Sequence, residues 1–142
     1  MNDISAVRWI ELSTHSDSRG RLTAIEGESQ VPFMIRRLFY VHDVVSGSER
    51  AAHAHPSTEQ CLIAVSGALD VQVEDSTTTQ TYHLDDPTVA LYVPPLIWVR
   101  LQNFTSHAVC LVVASTHYEP ATVIRDWDEY LLRARATKVA LE

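Results

Sequence analysis

The sequence predicts an all-β fold, a β-sandwich or β-barrel that ends in one short helix. Short runs of apolar and β-branched residues recur through the middle of the chain at spacings of about 8–12 residues. The breaks between the runs carry turn-forming residues, such as Asp85-Asp86-Pro87 and Pro94-Pro95. Only residues 124–140 are rich in helix-forming residues with apolar side chains at helical spacing.

Each run has the length and composition of a strand. In one of them Leu69, Val71 and Val73 alternate with polar residues, so one face of that strand is expected to meet solvent. A tight turn at Ser66-Gly67 separates this run from the one before it. The predicted strands span 38–41, 61–65, 68–73, 79–84, 89–93, 98–101 and 109–114.

Length and charge limit the organisation and the partners. A chain of 142 residues suits a single domain, which we expect to span residues 1–142. Eleven basic residues against eighteen acidic ones give a net charge of −7. This charge argues against a nucleic acid polymer or an anionic membrane as the partner.

The sequence also favours a cytoplasmic location. No apolar run approaches the ~20 residues that a membrane span needs, and the first residues do not resemble a signal peptide. Cys61 and Cys110 each lie in an apolar run, which is typical of buried thiols in a reducing compartment.

His53 and His55 are the most informative residues. They are two positions apart, so in an extended segment both side chains point to the same face. Such a pair serves as metal ligands or as acid/base groups, and the remaining alternative is two exposed loop histidines. A neutral imidazole has a pKa of about 6.5 and can move a proton between neighbouring carbons beside a carbonyl. The chemistry would be isomerisation through an enediol, and burial beside Arg50 would keep the pair neutral.

The spacing around the pair fits the first metal-binding motif of the cupin superfamily, from Gly47 to Gly67, with Gln60 where a glutamate is usual. The second motif aligns with residues 94–103, but Val99 occupies its histidine position. Two histidines and an amide are an incomplete ligand set for a transition metal. Glu59 would point to the opposite face of a regular strand. We therefore expect no metal and no cofactor.

An ordered series of motifs extends over residues 17–132. It comprises residues 17–22, 31–40, 95–98, 113–115 and 124–131, together with Tyr118, Arg50-x-x-His53-Ala54-His55 and Gln60. The series resembles the cupin-fold sugar 3,4-ketoisomerases that act on thymidine-diphosphate (TDP)-linked 4-keto-6-deoxyglucose. The resemblance implies a cupin jelly roll and a cofactor-free isomerase. That enzyme would move the keto group of a TDP-4-keto-6-deoxyhexose from C4 to C3, in the biosynthesis of 3-amino-3,6-dideoxy sugars.

The resemblance also implies roles for individual residues. The catalytic group would be His53, His55 and Tyr40, with His53 as the base. Arg19 and Arg37 would bind the diphosphate, a task suited to guanidinium groups. Trp98 is either a stacking platform for the base or sugar, or a core aromatic residue. The other residues expected to bind substrate are Arg50, Gln60 and Asn103.

The sequence departs from the family at three positions near these residues. Family members often have glycine, lysine and histidine where this chain has Ala51, Pro56 and Val99. Three alternatives therefore stay open: a related TDP-sugar epimerase, a metal-dependent cupin oxygenase, and a non-catalytic sugar-nucleotide binding module. Because many-stranded sandwiches often cover a strand edge by pairing with a second copy, we also expect a homodimer.

Overall fold

The computed structural model describes the backbone of residues 3–141 and the side chains of residues 3–137. It confirms the all-β prediction. The strands are β1 (Arg8–Glu11), β2 (Ser13–Asp17), β3 (Gly20–Ala24), β4 (Arg37–Val41), β5 (Arg50–His53), β6 (Gln60–Ser66), β7 (Leu69–Glu74), β8 (Thr79–Leu84), β9 (Val89–Val93), β10 (Trp98–Gln102) and β11 (Val109–Ala114). Two 3-10 turns (Ile4–Ala6 and Pro120–Thr122) and the helix α1 (Trp127–Leu141) complete the described elements.

The strands form two main sheets and one hairpin, with antiparallel pairing between all neighbours. The five-stranded sheet has the order β1-β9-β6-β11-β4, and the four-stranded sheet has the order β5-β10-β7-β8. The separate hairpin pairs β2 with β3. Neighbours in both main sheets are often distant in the sequence, so the sandwich is built mostly from long-range pairings.

The main core lies between the two sheets. On β7, Leu69, Val71 and Val73 are fully buried and alternate with partly exposed polar residues, as the sequence predicted. They pack with Leu62 of β6 and Val112 of β11 on the facing sheet. Burial of aliphatic side chains stabilises this fold by roughly 1.5–3 kcal/mol for each one removed from water.

A second core covers the outer face of the five-stranded sheet. Cys61 and Ile63 alternate with Leu62 along β6 and therefore point away from the main core. Val31 and Phe33, from the segment between β3 and β4, cover them. Strand β6 is buried on both faces, which explains its almost continuous apolar sequence.

The helix begins at Trp127, three residues later than the predicted start at residue 124. Ile124 instead forms a β-bridge with Ala54, and two backbone hydrogen bonds of 2.9 Å join these residues. The first turn of the helix packs on β10 through Trp98, Trp127 and Tyr130, which form a third apolar cluster. Within the described chain, no helix is long and apolar enough to cross a membrane.

Four strands were not predicted: β1, β2, β3 and β5. The hairpin β2–β3 is mostly exposed and polar, so it lacks the apolar alternation of a half-buried strand. Strand β5 is short and irregular. The turn at Gly67 was predicted, and its backbone has a φ of 63°. A Cβ there would lie 2.9 Å from Cα of Ala108, so glycine is required.

Candidate functional site

A cavity of about 500 Å³ opens between the two sheets. Its walls combine apolar residues of both sheets with polar groups from β4, from the loop between β4 and β5, from β5 and the residues that follow it, and from the start of β6. The apolar wall includes Phe39, Leu62, Val99, Leu101 and Val112. The polar lining residues are Tyr40, His42, Asp43, Ser48, Arg50, His53, His55 and Gln60.

His53 and His55 both line this cavity. Ala54, between them, is fully buried and belongs to the cluster under the helix. Its backbone is fixed on both sides by the bridge to Ile124. Because Ala54 points to one face, its two neighbours point to the other. The sequence prediction that the two imidazoles share a face is confirmed in this geometry.

The two imidazole rings are in direct contact. Their Nε2 atoms are 3.0 Å apart, and the ring centroids are 4.7 Å apart at an interplanar angle of 87°. One Nε2 must donate a hydrogen to the other, which accepts it with its lone pair. The neutral pair therefore shares one proton between its two Nε2 atoms, so one ring can release a proton while the other takes one up, as an acid and a base do.

Burial keeps both histidines neutral. It is the main cause that lowers the pKa of His55 to about 4, and the charge of a protonated His53 lowers it further. Burial likewise lowers the pKa of His53, while contact with the Ala51 backbone partly opposes the fall. Positive charges on Arg37 and Arg125 act in the same direction as burial on both rings. At neutral pH the pair is thus available as a base.

The strand that carries His53 has a strained backbone. Ala51 and Ala52 have φ values of 69° and 61°, in the left-handed region that disfavours residues with a Cβ. The pairing with β10 shifts register here, since Val99 opposes His53 while Arg100 opposes Ala51. This bulge interrupts strand alternation just before His53. Ala51 stands where family members often have glycine, the residue that best tolerates such a backbone.

Three further predicted residues belong to the cavity lining, but one of them, Tyr40, points away from the histidines. Gln60 is buried at the start of β6, and Arg50 is exposed at the start of β5. Tyr40 borders the cavity, but its side chain is 59% exposed. It alternates with Phe39 and Val41, which pack on the main core, so its ring lies on the outer face of β4. The structure therefore does not bring the Tyr40 phenol to the imidazoles.

The two arginines expected to bind diphosphate lie apart. Arg37 lies near the histidine pair, with its guanidinium 5.3 Å from the ring centroids of Phe39 and Tyr118. Arg19 is exposed at the turn between β2 and β3 and forms a 2.7 Å ion pair with Asp17. It does not line the cavity of this chain.

Trp98 and Asn103 also lie away from the cavity. Trp98 is 3% exposed and packs under the helix, with its ring centroid 5.2 Å from that of Trp127. Its neighbour Val99 faces the cavity instead. The core interpretation of Trp98 is therefore the one that the geometry supports. Asn103 is exposed after β10 and donates a hydrogen bond of 2.9 Å to Asp70.

The residues around the histidines do not complete a metal site. Glu59 accepts a 2.7 Å hydrogen bond from the Tyr92 hydroxyl and flanks the second core, so it points away from His53 and His55. Among the side chains of residues 3–137, no group of three His, Cys, Asp or Glu residues could hold a metal ion. The donor set of two imidazoles and the Gln60 amide does not fit a transition metal.

Sequence reasoning missed Arg125 and the loop that follows β4. Arg125 follows Ile124, the bridge partner of Ala54, and its charge lowers the pKa of both histidines. His42 and Asp43 border the cavity and form a 2.7 Å hydrogen bond through His42 Nδ1. Arg125 could not be found from local spacing, because only the folded bridge places it beside the pair.

The chain is similar to known sugar isomerases in its sequence. The family model described as FdtA, WxcM-like, C-terminal, matches residues 5–135. A TDP-4-oxo-6-deoxy-alpha-D-glucose-3,4-oxoisomerase from Aneurinibacillus thermoaerophilus is 39% identical over 114 residues, which cover 80% of this chain and 82% of that protein.

Two solved structures have folds that are similar to that of this chain. One is a histidine-to-asparagine variant of the 3,4-ketoisomerase QdtA from Thermoanaerobacterium thermosaccharolyticum in complex with TDP-4-keto-6-deoxyglucose. It has a TM-score of 0.89 and 33% identity, over 92% of this chain and 94% of that one. The TDP-quinovose 3,4-ketoisomerase WlaRB from Campylobacter jejuni has a TM-score of 0.87 and 36% identity, over 91% and 99%. Because its sequence and its fold are both matched, this chain belongs to the FdtA-like family of cupin-fold sugar 3,4-ketoisomerases.

Proposed function

We propose that this protein is a cofactor-free isomerase that moves the keto group of a TDP-4-keto-6-deoxyhexose from C4 to C3. The observation that carries the proposal is the contact of His53 and His55, 3.0 Å apart at Nε2, in a cavity large enough for a hexose. The 39% identity to a TDP-4-oxo-6-deoxyglucose 3,4-oxoisomerase supports the same substrate class. The product would supply the biosynthesis of 3-amino-3,6-dideoxy sugars.

The reaction needs one base and one acid on neighbouring carbons. The imidazole lone pair takes the proton from C3, the C3–H electrons form the C3=C4 bond, and the C4 carbonyl oxygen takes up a proton. The resulting enediol then loses the proton from its C3 hydroxyl, C3=O forms, and C4 receives a proton. The substrate thus keeps all of its atoms and its oxidation state. His53 is the base of this proposal, and His55 is its proton-exchanging partner.

The rest of the cavity suits this chemistry. Phe39, Leu62 and Val112 line it with apolar surface that excludes water and keeps the imidazoles neutral. Gln60 and Arg50 supply hydrogen-bond donors for sugar oxygens. Arg37 provides a positive charge for the diphosphate, which an acidic protein must attract locally.

The decisive experiment is incubation with TDP-4-keto-6-deoxyglucose, followed by NMR of the product in deuterated water. Movement of the carbonyl to C3, with deuterium at C4, supports the proposal. An inverted centre with the carbonyl still at C4 would indicate an epimerase instead. Binding without any change in the substrate would indicate a binding module, and activity that depends on stoichiometric iron or nickel would indicate a metal enzyme.

We further propose a single domain over residues 1–142, a homodimer and a cytoplasmic location. The dimer proposal is supported by β4, an edge strand of the five-stranded sheet. Its outward side chains Leu38 and Tyr40 are 56% and 59% exposed, which favours covering of this edge by a second copy. Cys61 and Cys110 are buried free thiols, and burial raises the pKa of each to about 12, as expected of structural cysteines. Light scattering of the purified protein tests the dimer.

A further inference from the structure

One wall of the cavity is a loop rather than a strand. Residues 42–49 connect β4 to β5, and five of them line the cavity: His42, Asp43, Val44, Val45 and Ser48. The loop runs into β5, a strand of only four residues at the edge of the four-stranded sheet, where its neighbour is β10. A segment with so little regular structure opens easily unless side chains hold it in place.

Glu49 holds the end of this loop. Its two carboxylate oxygens accept hydrogen bonds from Arg100 Nη1 at 3.2 Å and from Gln102 Nε2 at 2.7 Å. Both donors belong to β10, where they alternate with Val99 and Leu101, which line the cavity. The hydrogen bonds are thus made on the outer face of the sheet, away from the cavity. Because both oxygens are engaged, the orientation of the carboxylate is fixed as well as its position.

Arg100 is itself attached to the next strand. Its Nε lies 3.4 Å from Oε1 of Glu74 on β7, in an ion pair. The side chains of Arg100, Glu49 and Glu74 are 33%, 35% and 16% exposed, so these charges are partly shielded from water. An isolated pair on the surface contributes little to stability, but a network of partly buried charges holds its members more firmly. The loop is therefore attached to two strands of the sheet.

The attachment of Glu49 matters for His53 because the backbone between them is strained. Ala51 and Ala52 have positive φ values, and the pairing of the strand shifts register at this point. A backbone of this kind persists only where the surrounding structure enforces it. One end of the strained segment is held by the β-bridge of Ala54, and the other end is held by the hydrogen bonds of Glu49. Release of either end would let the segment relax and move the imidazole.

We propose that Glu49 is a positioning residue of the isomerase, which acts through β5 and the loop and touches no reacting atom. Its hydrogen bonds fix the start of the strand, so that the His53 imidazole stays 3.0 Å from that of His55. They also keep residues 42–48 in place as a wall of the sugar cavity. A carboxylate on the outer face of the sheet thus serves the cavity on its inner face. This inference rests on the proposed function for the identity of the reaction.

The test compares Glu49→Ala with Glu11→Ala, which removes an equal charge from the exposed end of β1. In the keto-migration assay we expect Glu49→Ala to lower kcat by about 10- to 100-fold, since a misplacement of about 1 Å in a catalytic group has an effect of this size. Glu49→Gln keeps one acceptor oxygen and should recover most of the lost kcat. Glu11→Ala should have the kcat of the wild type.

Hydrogen exchange followed by mass spectrometry gives a second measurement that needs no activity. In Glu49→Ala the amides of residues 42–53 should exchange at least about tenfold faster, while those of β6 and β7 should exchange as in the wild type. Gln102→Leu removes the shorter hydrogen bond alone. It should give the same local pattern to a smaller extent, and it keeps the inference testable should Glu49→Ala not fold. In the Glu49→Ala background it should add nothing, because the two residues act through one contact.

The outcomes separate this inference from the proposed function. Wild-type kcat and exchange in Glu49→Ala overturn the inference even if the wild type isomerises the keto sugar. Faster exchange spread evenly over the whole chain in both variants also overturns it, since Glu49 would then stabilise the fold in general. If the wild type moves no keto group, the proposed function fails. Faster exchange confined to residues 42–53 would then still support the attachment by Glu49, and unchanged exchange there would overturn it.

Discussion

Polar groups on the two sides of the five-stranded sheet differ in whether they have hydrogen-bond partners. On the outer face the Glu59 carboxylate accepts a hydrogen bond from Tyr92, and an Arg8 guanidinium lies 5.1 Å from the Tyr92 ring centroid. The inner face borders the cavity, and across it His53 of β5, in the four-stranded sheet, has an Nδ1 that is buried without a hydrogen-bond partner among the described side chains. Glu59 and Gln60 are neighbours in the chain, yet one belongs to each face.

Polar groups that stabilise the fold can be told apart from polar groups that are available to a ligand by whether their hydrogen-bonding atoms already have partners. A polar group that stabilises a fold has its partners built in, because an unsatisfied buried group costs about 1–3 kcal/mol. Polar groups that keep unused donors or lone pairs inside a cavity are reserved for a ligand. By this criterion His53 and Arg37 belong to the functional side of the molecule, and Glu59 and Tyr92 belong to its framework.

The largest expected effect is the loss of kcat when His53, on the functional side, is substituted. His53→Asn should lower kcat by about 10²- to 10⁴-fold, because general acid–base catalysis contributes that much. Its free energy of unfolding should fall by no more than about 0.5–1.5 kcal/mol, since the substitution removes one hydrogen bond, the 3.0 Å contact of Nε2 with His55. Steady-state kinetics and urea unfolding measure the two quantities. His15→Asn, on the exposed strand β2, is the matched control and should change neither. A large loss of stability in His53→Asn would place this residue in the framework.

A substitution on the framework side should lower stability and leave kcat unchanged. Tyr92→Phe removes the hydroxyl that satisfies Glu59, and we expect it to lower the free energy of unfolding by about 1–3 kcal/mol. The kcat should remain that of the wild type. Tyr82→Phe is the control, because Tyr82 packs edge-on against Trp9, and its hydroxyl has no hydrogen bond among the described residues. If Tyr92→Phe reduced kcat without loss of stability, the separation between the two faces would be wrong.

Features of the fold and the site that depend on local periodicity could be predicted from the sequence. Strand β7 and the common face of His53 and His55 follow from the alternation of side chains along an extended chain, and the structure keeps this alternation. The sequence left two interpretations of Trp98 open, because the facing of β10 is set by its register with β5 and β7. Arg125 required knowledge of the bridge at Ala54, a contact between segments far apart in the chain. Such long-range pairings leave no local pattern.

The pH dependence of activity tests the charges that surround the histidine pair. The pKa of His55 is lowered to about 4, mainly by burial, and that of His53 is lowered for the same main reason. The base form of each ring is lost only as pH falls below its folded pKa, so kcat/KM should hold below pH 6.5, and His55 should become protonated only near pH 4. Arg125→Gln removes a nearby positive charge, which makes protonation easier. The acid limb of its profile should therefore move to higher pH, while that of Arg133→Gln, on the exposed face of α1, should not. An unmoved limb would contradict the placement of Arg125.

The smallest effect concerns the strained strand that presents His53. Ala51 has a φ of 69°, and a left-handed backbone costs an alanine roughly 1–2 kcal/mol more than it costs a glycine. Ala51→Gly relieves this strain but loses a partly buried methyl group and adds about 0.5–1 kcal/mol of unfolded-state entropy. These terms nearly cancel, so its free energy of unfolding should stay within about 0.5 kcal/mol of the wild type. Ala24→Gly in β3, where φ is not positive, has no strain to relieve and should lose about 0.5–1 kcal/mol. Equal losses in the two variants would show that the backbone before His53 carries no strain.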